Sequence, residues 1–472
     1  MGIEDQHSMP RFINRFINRS PLSQALFTAG LALGLALLPT AAQEPATTPA
    51  NPLAVKIGAF EFTPGGFVDF TTVYRSTAVG SGIGTNFAAI PYNTTVAGRV
   101  SELRESAQNS RLTLKIDGVH ASTQFTGYLE TDLNGNQPGN VAVSSNSATM
   151  RLRVYFMDAR HGAWEVLAGQ DWSLLTPNRV GLSPMPSDIF FSQVVDTNYQ
   201  VGLTWARQPQ FRLIYHASRQ FAAGLSVENA EPYVGGSSGA PAATVPTAFA
   251  SQVNNGGTSY AAPSFAPDLI VKAAYDSQPG GHGLHLEAAG LASTFRIFNP
   301  ATGITARTMG GGGSLNANLE IAPGLRLIGT SFFGDGGGRY FFGMAPDLVV
   351  RQNGAISPVR ASGGTGGFEY QINPGYLAYA YYGGVYIRPS FDLSGATPVG
   401  YGYPGASSST NKAIQEGTIG ITHTFWHSAQ YGALQLMLQA SYLTRDPYNV
   451  TPGAPKNAHV GIGYVNLRYS LP

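Results

Sequence analysis

Short segments in which apolar and polar residues alternate recur from Phe67 to the end of this chain, and they constrain its fold more than any other feature. Within the segment 111–117, Leu112, Leu114 and Ile116 alternate with charged or hydroxyl-bearing residues. Successive residues of a β-strand point to opposite sides of a sheet, so each segment has one apolar and one polar face. Clusters of Gly, Pro, Asn, Ser and Asp separate the segments, as turns do. The pattern predicts an all-β chain.

A two-faced sheet fits either a soluble sandwich or a membrane barrel, and the composition favours the barrel. Charged residues make up only 12% of the 472 residues, about half the usual share, while the chain has 58 Gly, 23 Tyr and 25 Phe. The mean hydropathy of −0.04 is too low for a helical membrane protein. A barrel averages near zero because it shows apolar residues to lipid and polar residues to a lumen. The chain has no Cys, which excludes disulfides and thiolate chemistry.

The first 42 residues have the organisation of a secretory signal. Arg11, Arg15 and Arg19 precede an apolar run of 14 residues over 25–38, and a small-residue cleavage region follows. A membrane-spanning helix needs about 20 apolar residues, so this run is too short to be an anchor. We predict a cleaved signal peptide over 1–42, a flexible leader rich in Pro, Ala and Thr over 43–56, and one transmembrane barrel over 57–472.

The predicted mature chain is electrically balanced. Residues 1–42 contain three Arg, one Glu and one Asp, so their removal from 28 basic and 27 acidic residues leaves 25 of each. No basic excess points to nucleic acid as a partner. Because neither an HExxH nor a GxSxG pattern occurs, and no glycine-rich stretch has a P-loop lysine, we predict no metal site, no cofactor and no catalytic residue.

The number of strands depends on one doubtful boundary. Seventeen segments are candidate membrane crossings, whereas bacterial barrels of a single chain use an even number. Pro209 separates segments 198–206 and 210–218, and a strand tolerates Pro at a bulge or an edge. Merging these two segments gives 16 strands, which we favour, while promoting 57–62 to a crossing gives 18. Short and long connections alternate along the chain, as they do between the two ends of an outer-membrane barrel.

Charged residues at alternating positions are predicted to line the lumen, because a charge facing lipid costs about 2–4 kcal/mol at the membrane midplane. The same alternation places Leu152, Val154 and Phe156 toward lipid. The predicted basic wall comprises Arg111, Lys115, Arg151, Arg153, Arg212 and His216, with Arg207 as an alternative to Arg212. Guanidinium groups there would attract anions and bind carboxylate or phosphate. They could also pair with acidic neighbours and brace the wall, and the sequence leaves both roles open.

The segment 172–197 is the predicted constriction loop. It carries Asp188 and Asp196 beside Phe190 and Phe191. Carboxylates inside the lumen, opposite a basic wall, would create a transverse field that sets ion preference. The alternative is an external loop with solvated acids. Further candidates for the pore lining are Asp69, Glu130, Asp132, Glu165 and Asp171.

Several motifs resemble the DcaP-like family of trimeric porins. They are the R-E-S…S-R-L-x-L-K run over 104–115, L-A-G-Q-D-W-S over 167–173, R-Q-x-Q-x-R over 207–212 and P-D-L over 267–269. The resemblance covers much of 67–290 and implies an outer-membrane channel that trimerises, with an inward-folded third loop that narrows the pore. It also supports 16 strands. The chain departs from the family in its short, proline-rich leader and in ending on Pro472 rather than on an aromatic residue.

The sequence thus predicts a porin in the outer membrane of a Gram-negative bacterium. It would pass small hydrophilic solutes by passive diffusion and contact outer-membrane lipid and two further copies of itself. A preference for anions or dicarboxylates, the identity of the solute and an open or plugged pore stay open. We predict that the protein is not an enzyme. The alternatives are a barrel enzyme such as a lipid hydrolase and a secreted, soluble β-rich adhesin.

Overall fold

The computed structural model describes residues 51–135, 149–190, 192–230, 233–236, 242–253, 266–450 and 452–472. The predicted signal peptide, residues 43–50 of the predicted leader, and Phe191 lie outside these residues. Within them the chain forms 22 strands. The strands are β1 (Val55–Ile57), β2 (Phe60–Arg75), β3 (Glu102–Ser106), β4 (Arg111–His120), β5 (Thr123–Asp132), β6 (Arg151–His161), β7 (Trp164–Trp172), β8 (Arg207–His216), β9 (Phe221–Glu228), β10 (Asp268–Ser277), β11 (Leu284–Asn299), β12 (Ile304–Ala322), β13 (Leu325–Asp335), β14 (Leu348–Val350), β15 (Ile356–Pro358), β16 (Arg360–Asn373), β17 (Tyr376–Ile387), β18 (Ser390–Asp392), β19 (Val399–Tyr401), β20 (Asn411–Ser428), β21 (Gly432–Pro447) and β22 (Ala458–Ser470).

Helical structure in the described residues is confined to single turns. An α-helical turn covers Val96–Arg99, and 3₁₀ turns cover Phe87–Ala89, Thr247–Gln252, Pro279–Gly281 and Gly338–Tyr340. None of the helices in these residues has the length and apolar character needed to cross a membrane.

A single antiparallel sheet closes on itself, because β2 pairs with β22 on one side and with β3 and β4 on the other. The sheet contains 18 strands, but two of them add no crossing. β3 and β4 pair with successive parts of β2 and together form one crossing, and β1 pairs only with the first three residues of β2. Sixteen crossings therefore form the barrel among the described residues, and the predicted fold class and strand count are confirmed.

The predicted merging of segments 198–206 and 210–218 into one strand is wrong. Residues 198–206 are not part of a strand; β8 begins at Arg207 and includes Pro209, whose side chain is exposed. The 198–206 segment runs inside the barrel, where the hydroxyl of Thr365 donates to the carbonyl oxygen of Val201 over 2.8 Å. Val201 and Leu203 are fully buried among interior side chains. Val201, Leu203 and Trp205 alternate with less apolar residues, so the segment resembles a strand in the sequence, although residues 200–205 are all buried.

The outward face of the barrel is apolar. Large hydrophobic side chains that a soluble protein would bury are exposed on nearly every strand, which is the arrangement of a wall surrounded by lipid. Examples spread around the barrel are Val68, Leu112, Leu152, Met157, Phe211, Leu225, Val271, Leu286, Leu315, Phe333, Phe368, Tyr382, Ile419 and Leu467.

Connections of different length separate the two ends of the barrel. At the turn end, the strands are joined by 121–122, 162–163, 217–220, 278–283, 323–324, 374–375 and 429–431. At the loop end they are joined by 76–101, 133–150, 173–206, 229–267, 336–359, 388–410 and 448–457, and by the shorter 300–303. The alternation of short and long connections is as predicted, and only 300–303 departs from it.

The long connections fold inward and share a hydrophobic core at the loop end. Phe87, Val201, Val234, Phe341 and Val349 come from four of the long connections, and each is at most 1% exposed. Buried polar and charged side chains occupy the rest of the interior on strands from β2 to β22.

A β-bulge in β6 reverses part of the predicted facing of this strand. Pairing with β5 slips by one residue and leaves Arg153 without a partner in the ladder. An extra residue shifts the two-residue period, so Val154 and Phe156 turn into the barrel, where they are 0% and 6% exposed. The prediction that these two residues face lipid is therefore wrong. Leu152, before the bulge, and Tyr155, after it, are exposed on the outside.

Candidate pore constriction

Residues 173–206, between β7 and β8, form the constriction loop, and carboxylates of the barrel wall hold it by its backbone. Glu228 of β9 accepts a hydrogen bond from the Leu174 amide over 2.8 Å. Glu287 of β11 accepts from the Asn178 amide over 2.9 Å. Glu416 of β20 accepts from the Val201 amide over 3.0 Å. The loop therefore lies against the inner wall from β9 to β20.

Two cation contacts complete this attachment. Lys272 of β10 donates to the Thr176 carbonyl oxygen over 2.8 Å and forms a 2.7 Å ion pair with Glu287. Arg179 of the loop forms two hydrogen bonds of 2.8 and 2.9 Å with Glu369 of β16. Burial opposes the charge of Arg179, yet the bonds to Glu369 outweigh it and raise the pKa of Arg179 above its ordinary value. Many interior acids are thus used to position the loop.

The predicted acidic surface of the loop does not form as expected. Asp196 is 2% exposed and accepts hydrogen bonds from the Thr85 amide over 3.1 Å and the Tyr464 hydroxyl over 2.7 Å. It joins the loop to β22 and to the connection 76–101, so its prediction as a pore-lining acid is wrong. Asp188 is partly exposed and accepts a 3.4 Å hydrogen bond from Ser187.

Five arginines from β4, β6, β8 and β22 form a group that we call the arginine wall: Arg111, Arg151, Arg153, Arg207 and Arg468. Two aromatic rings support four of them. The guanidinium carbons of Arg111 and Arg468 lie 5.1 and 4.1 Å from the centroid of the Phe67 ring. Those of Arg153 and Arg207 lie 5.7 and 5.5 Å from the Trp172 ring. Such stacking orients a guanidinium group without neutralising it.

Three carboxylates pair with the arginine wall. Asp69 forms a 2.8 Å ion pair with Arg468. Asp132 binds both Arg151 and Arg153, with closest distances of 2.6 and 2.7 Å. Glu130 lies 2.6 Å from Arg153 and 3.5 Å from Arg111. Five guanidinium groups against three carboxylates leave two positive charges in excess.

The exposure of the arginine wall differs among its members. The side chains of Arg151, Arg468 and Arg111 are 35%, 20% and 19% exposed, whereas that of Arg153 is 4% exposed. Arg153 therefore braces the wall, and the other three present part of their guanidinium groups to the interior. Ion pairing with acidic neighbours, one of the two roles that the sequence left open, is therefore seen for these residues, while the attraction of anions stays a prediction.

The remaining predicted basic residues lie apart from this group. Arg212 is 3% exposed, donates to the Trp172 carbonyl oxygen over 2.6 Å and lies 3.2 Å from Asp171, so it is sealed within the wall. Nearer the turn end, His216 lies 2.8 Å from Glu165. Lys115, in the middle of β4, pairs with the nearby Asp117 over 2.9 Å and is 40% exposed.

Tyr199 of the constriction loop contacts the arginine wall directly. Its hydroxyl accepts a 3.3 Å hydrogen bond from Arg153. Its ring packs edge-on against Trp172 and Trp205 at centroid distances of 6.0 and 5.3 Å. Tyr199 has φ of +63°, in the left-handed region that residues other than Gly rarely adopt. Backbone strain of this kind persists where the surroundings enforce it, so the structure holds this side chain against the wall.

The sequence-based prediction missed Arg468, Phe67 and Tyr199. Arg468 is on the polar face of the last alternating segment, and the closure of a barrel brings the last strand beside the first. Its pairing with Asp69 of β2 was therefore available from the topology. Tyr199 carried no such signal, because its segment resembled a strand. Among the described residues, no group of three or more His, Asp or Glu side chains is arranged to hold a metal ion.

A closed barrel of 16 strands with an apolar outer surface and an inward third loop defines the porin-type channel fold. The solved structure of the outer membrane channel DcaP of Acinetobacter baumannii is similar to this chain, with a TM-score of 0.63 and 16% identity over 88% of this chain and 99% of that one. The predicted resemblance to DcaP-like porins is confirmed at the level of the fold.

Two further porins superpose less well. They are the anion-selective porin from Comamonas acidovorans (TM-score 0.48, 12% identity, 87% of this chain and 100% of that one) and Salmonella typhi OmpF in complex with daunomycin (TM-score 0.47, 10% identity, 89% and 100%). No family model and no curated protein matches the chain.

Proposed function

We propose that the protein is an outer-membrane porin through which small hydrophilic solutes diffuse passively, with a preference for anions. The observation that carries the proposal is the unequal use of charge inside the barrel. Glu228, Glu287 and Glu416 bind the constriction loop by its backbone amides, while the arginine wall keeps two positive charges in excess. The solute path runs between the constriction loop and the arginine wall.

The wall of the barrel itself supports an outer-membrane location and a passive mechanism. Its exposed apolar surface requires lipid, and a closed barrel satisfies the backbone hydrogen bonds that an open sheet edge would leave unpaired. The DcaP structure, which shares the fold, is a channel by name. The motif resemblance to DcaP-like trimeric porins is the ground on which we propose a homotrimer and a role in transport rather than catalysis.

Planar-bilayer recordings with the purified protein test this function. Stepwise conductance is expected, and a salt gradient should give a reversal potential on the anion-selective side. The absence of conductance steps would contradict the porin proposal. Steps with a cation-selective reversal potential would contradict only the anion preference. Chemical cross-linking in mild detergent tests the trimer separately.

A further inference from the structure

We propose that Arg207 is the specificity-determining residue of the constriction, where its guanidinium group binds the carboxylate or phosphate group of a passing solute. This inference rests on the proposed anion-preferring pore and names the residue that touches the anion.

The carboxylates of this region are already engaged by other arginines. Asp69 binds Arg468 through two nitrogen atoms at 2.8 and 2.9 Å. Asp132 receives two hydrogen bonds, of 3.0 and 2.6 Å, from Arg151 and one of 2.7 Å from Arg153. Each carboxylate oxygen has a limited number of acceptor sites, so these groups offer little further capacity to another guanidinium.

The side chain of Arg207 has no hydrogen bond or ion pair within the described part of the chain, and it is partly exposed. Its guanidinium carbon lies 5.5 Å from the centroid of the Trp172 ring, and the ring places the group without accepting its N–H hydrogen bonds. A planar guanidinium presents paired N–H donors whose spacing matches a carboxylate or a phosphate. The structure therefore offers an oriented donor without an acceptor.

Neighbouring charges strengthen the attraction for an anion at this position. The positive charges of Arg153 and Arg151 act on Arg207, and the negative charge of Asp132 opposes them only in part. An anion bound at Arg207 would relieve the repulsion among these three cations.

Arg212 provides an internal contrast on the same strand. It is 3% exposed and fully engaged by the Trp172 carbonyl oxygen, Gln210 and Asp171. Two arginines five positions apart on β8 thus have different roles, one structural and one open to a ligand.

Block of channel current by inorganic phosphate tests the inference. In the wild-type protein, phosphate added to a chloride electrolyte should reduce the current with a measurable half-blocking concentration. Removal of one charge-assisted pair in Arg207→Gln should raise that concentration about tenfold, as expected for an interaction of about 1.4 kcal/mol. Arg360→Gln is the matched control, because Arg360 is 42% exposed and pairs with Asp335 at the loop end. Phosphate should block Arg360→Gln channels at the wild-type half-blocking concentration.

Two further measurements keep the test decisive. Arg207→Lys retains the charge but loses the paired donors, so its half-blocking concentration should lie between those of wild type and Arg207→Gln. If Arg207→Gln does not insert into the bilayer, a wild-type half-blocking concentration of phosphate in Arg207→Lys overturns the inference. Phosphate should also change the fluorescence of Trp172 in detergent-solubilised protein, and this change should be absent in Arg207→Gln and in Trp172→Phe.

The fluorescence titration separates this inference from the proposed function. A wild-type protein without conductance steps would contradict the porin proposal, while loss of the fluorescence response in Arg207→Gln would still support an anion site at Arg207. If Arg207→Gln forms conducting channels that phosphate blocks at the wild-type concentration, the inference is overturned and the porin proposal is left intact.

Discussion

Replacing Arg151 and Arg153 by Glu should invert the ion preference of the pore. The arginine wall has five guanidinium groups and three carboxylates, and each Arg→Glu change removes two units of charge. Arg151→Glu alone brings the excess of two positive charges to zero. The double variant brings it to two negative charges. Arg151 is the safer first change, because its side chain is 35% exposed and Asp132 keeps its bond to Arg153.

The size of the effect follows from Coulomb's law. A unit charge about 8 Å from a permeating ion contributes about 0.5 kcal/mol at the dielectric constant of water, so four units contribute about 2 kcal/mol before screening. Salt at about 0.1 M has a Debye length of about 10 Å and reduces this value by about half. The contributions to an anion and a cation have opposite signs. The two contributions together change the difference between the ions by about 2 kcal/mol, so the ratio of anion to cation permeability should fall about thirtyfold in the double variant.

Reversal potentials across a planar bilayer under a potassium chloride gradient measure this ratio. We expect an intermediate value for Arg151→Glu and a cation-selective value for the double variant. Arg360→Glu is the control, because its charge lies at the loop end, away from the arginine wall, and it should leave the potential unchanged. A wild-type reversal potential in both Arg151→Glu and the double variant would refute the placement of the wall in the conducting path.

Three further predictions concern the strand facing, the buried ion pair and the constriction loop. Since the chain has no Cys, a single Cys at Leu152 should react with a lipid-soluble thiol reagent while one at Val154 should not, and equal labelling would disprove the bulge in β6. Lys272→Met should lower the free energy of unfolding by about 3–5 kcal/mol in denaturant titrations, because it leaves Glu287 buried without its cation. Recovery of this free energy in the double variant with Glu287→Gln would confirm the cause. An unchanged unfolding midpoint in Lys272→Met would contradict it. Gly202→Ala should displace the constriction loop, because φ of Gly202 is +89° and a Cβ atom would meet a carbonyl oxygen of β16. The conductance of the channel should therefore rise. A wild-type conductance would show that the loop tolerates the methyl group.

The sequence predicted those residues of the candidate site whose position follows from their charge and from the two-residue period of a single strand. Arg111, Arg151, Glu130 and Asp132 follow from polar positions on alternating segments, and the structure places them in one paired group. Arg212 was preferred to Arg207 on the same grounds. Only the contacts of Trp172 show that the first is sealed and the second is open. Strand period tells which face a residue takes, but it does not tell which partner reaches it.

The sequence by itself determined the barrel. A two-residue period repeated along the chain, with little charge and no apolar run long enough for a spanning helix after residue 42, allows few other arrangements in a membrane. The tertiary structure alone decided the interior. The bulge at Arg153, the course of residues 198–206 and the binding of Asp196 to Thr85 and Tyr464 depend on contacts between segments distant in the chain. Local alternation carries no information about such contacts, because residues 200–205 alternate in sequence as a strand does although all of them are buried inside the barrel.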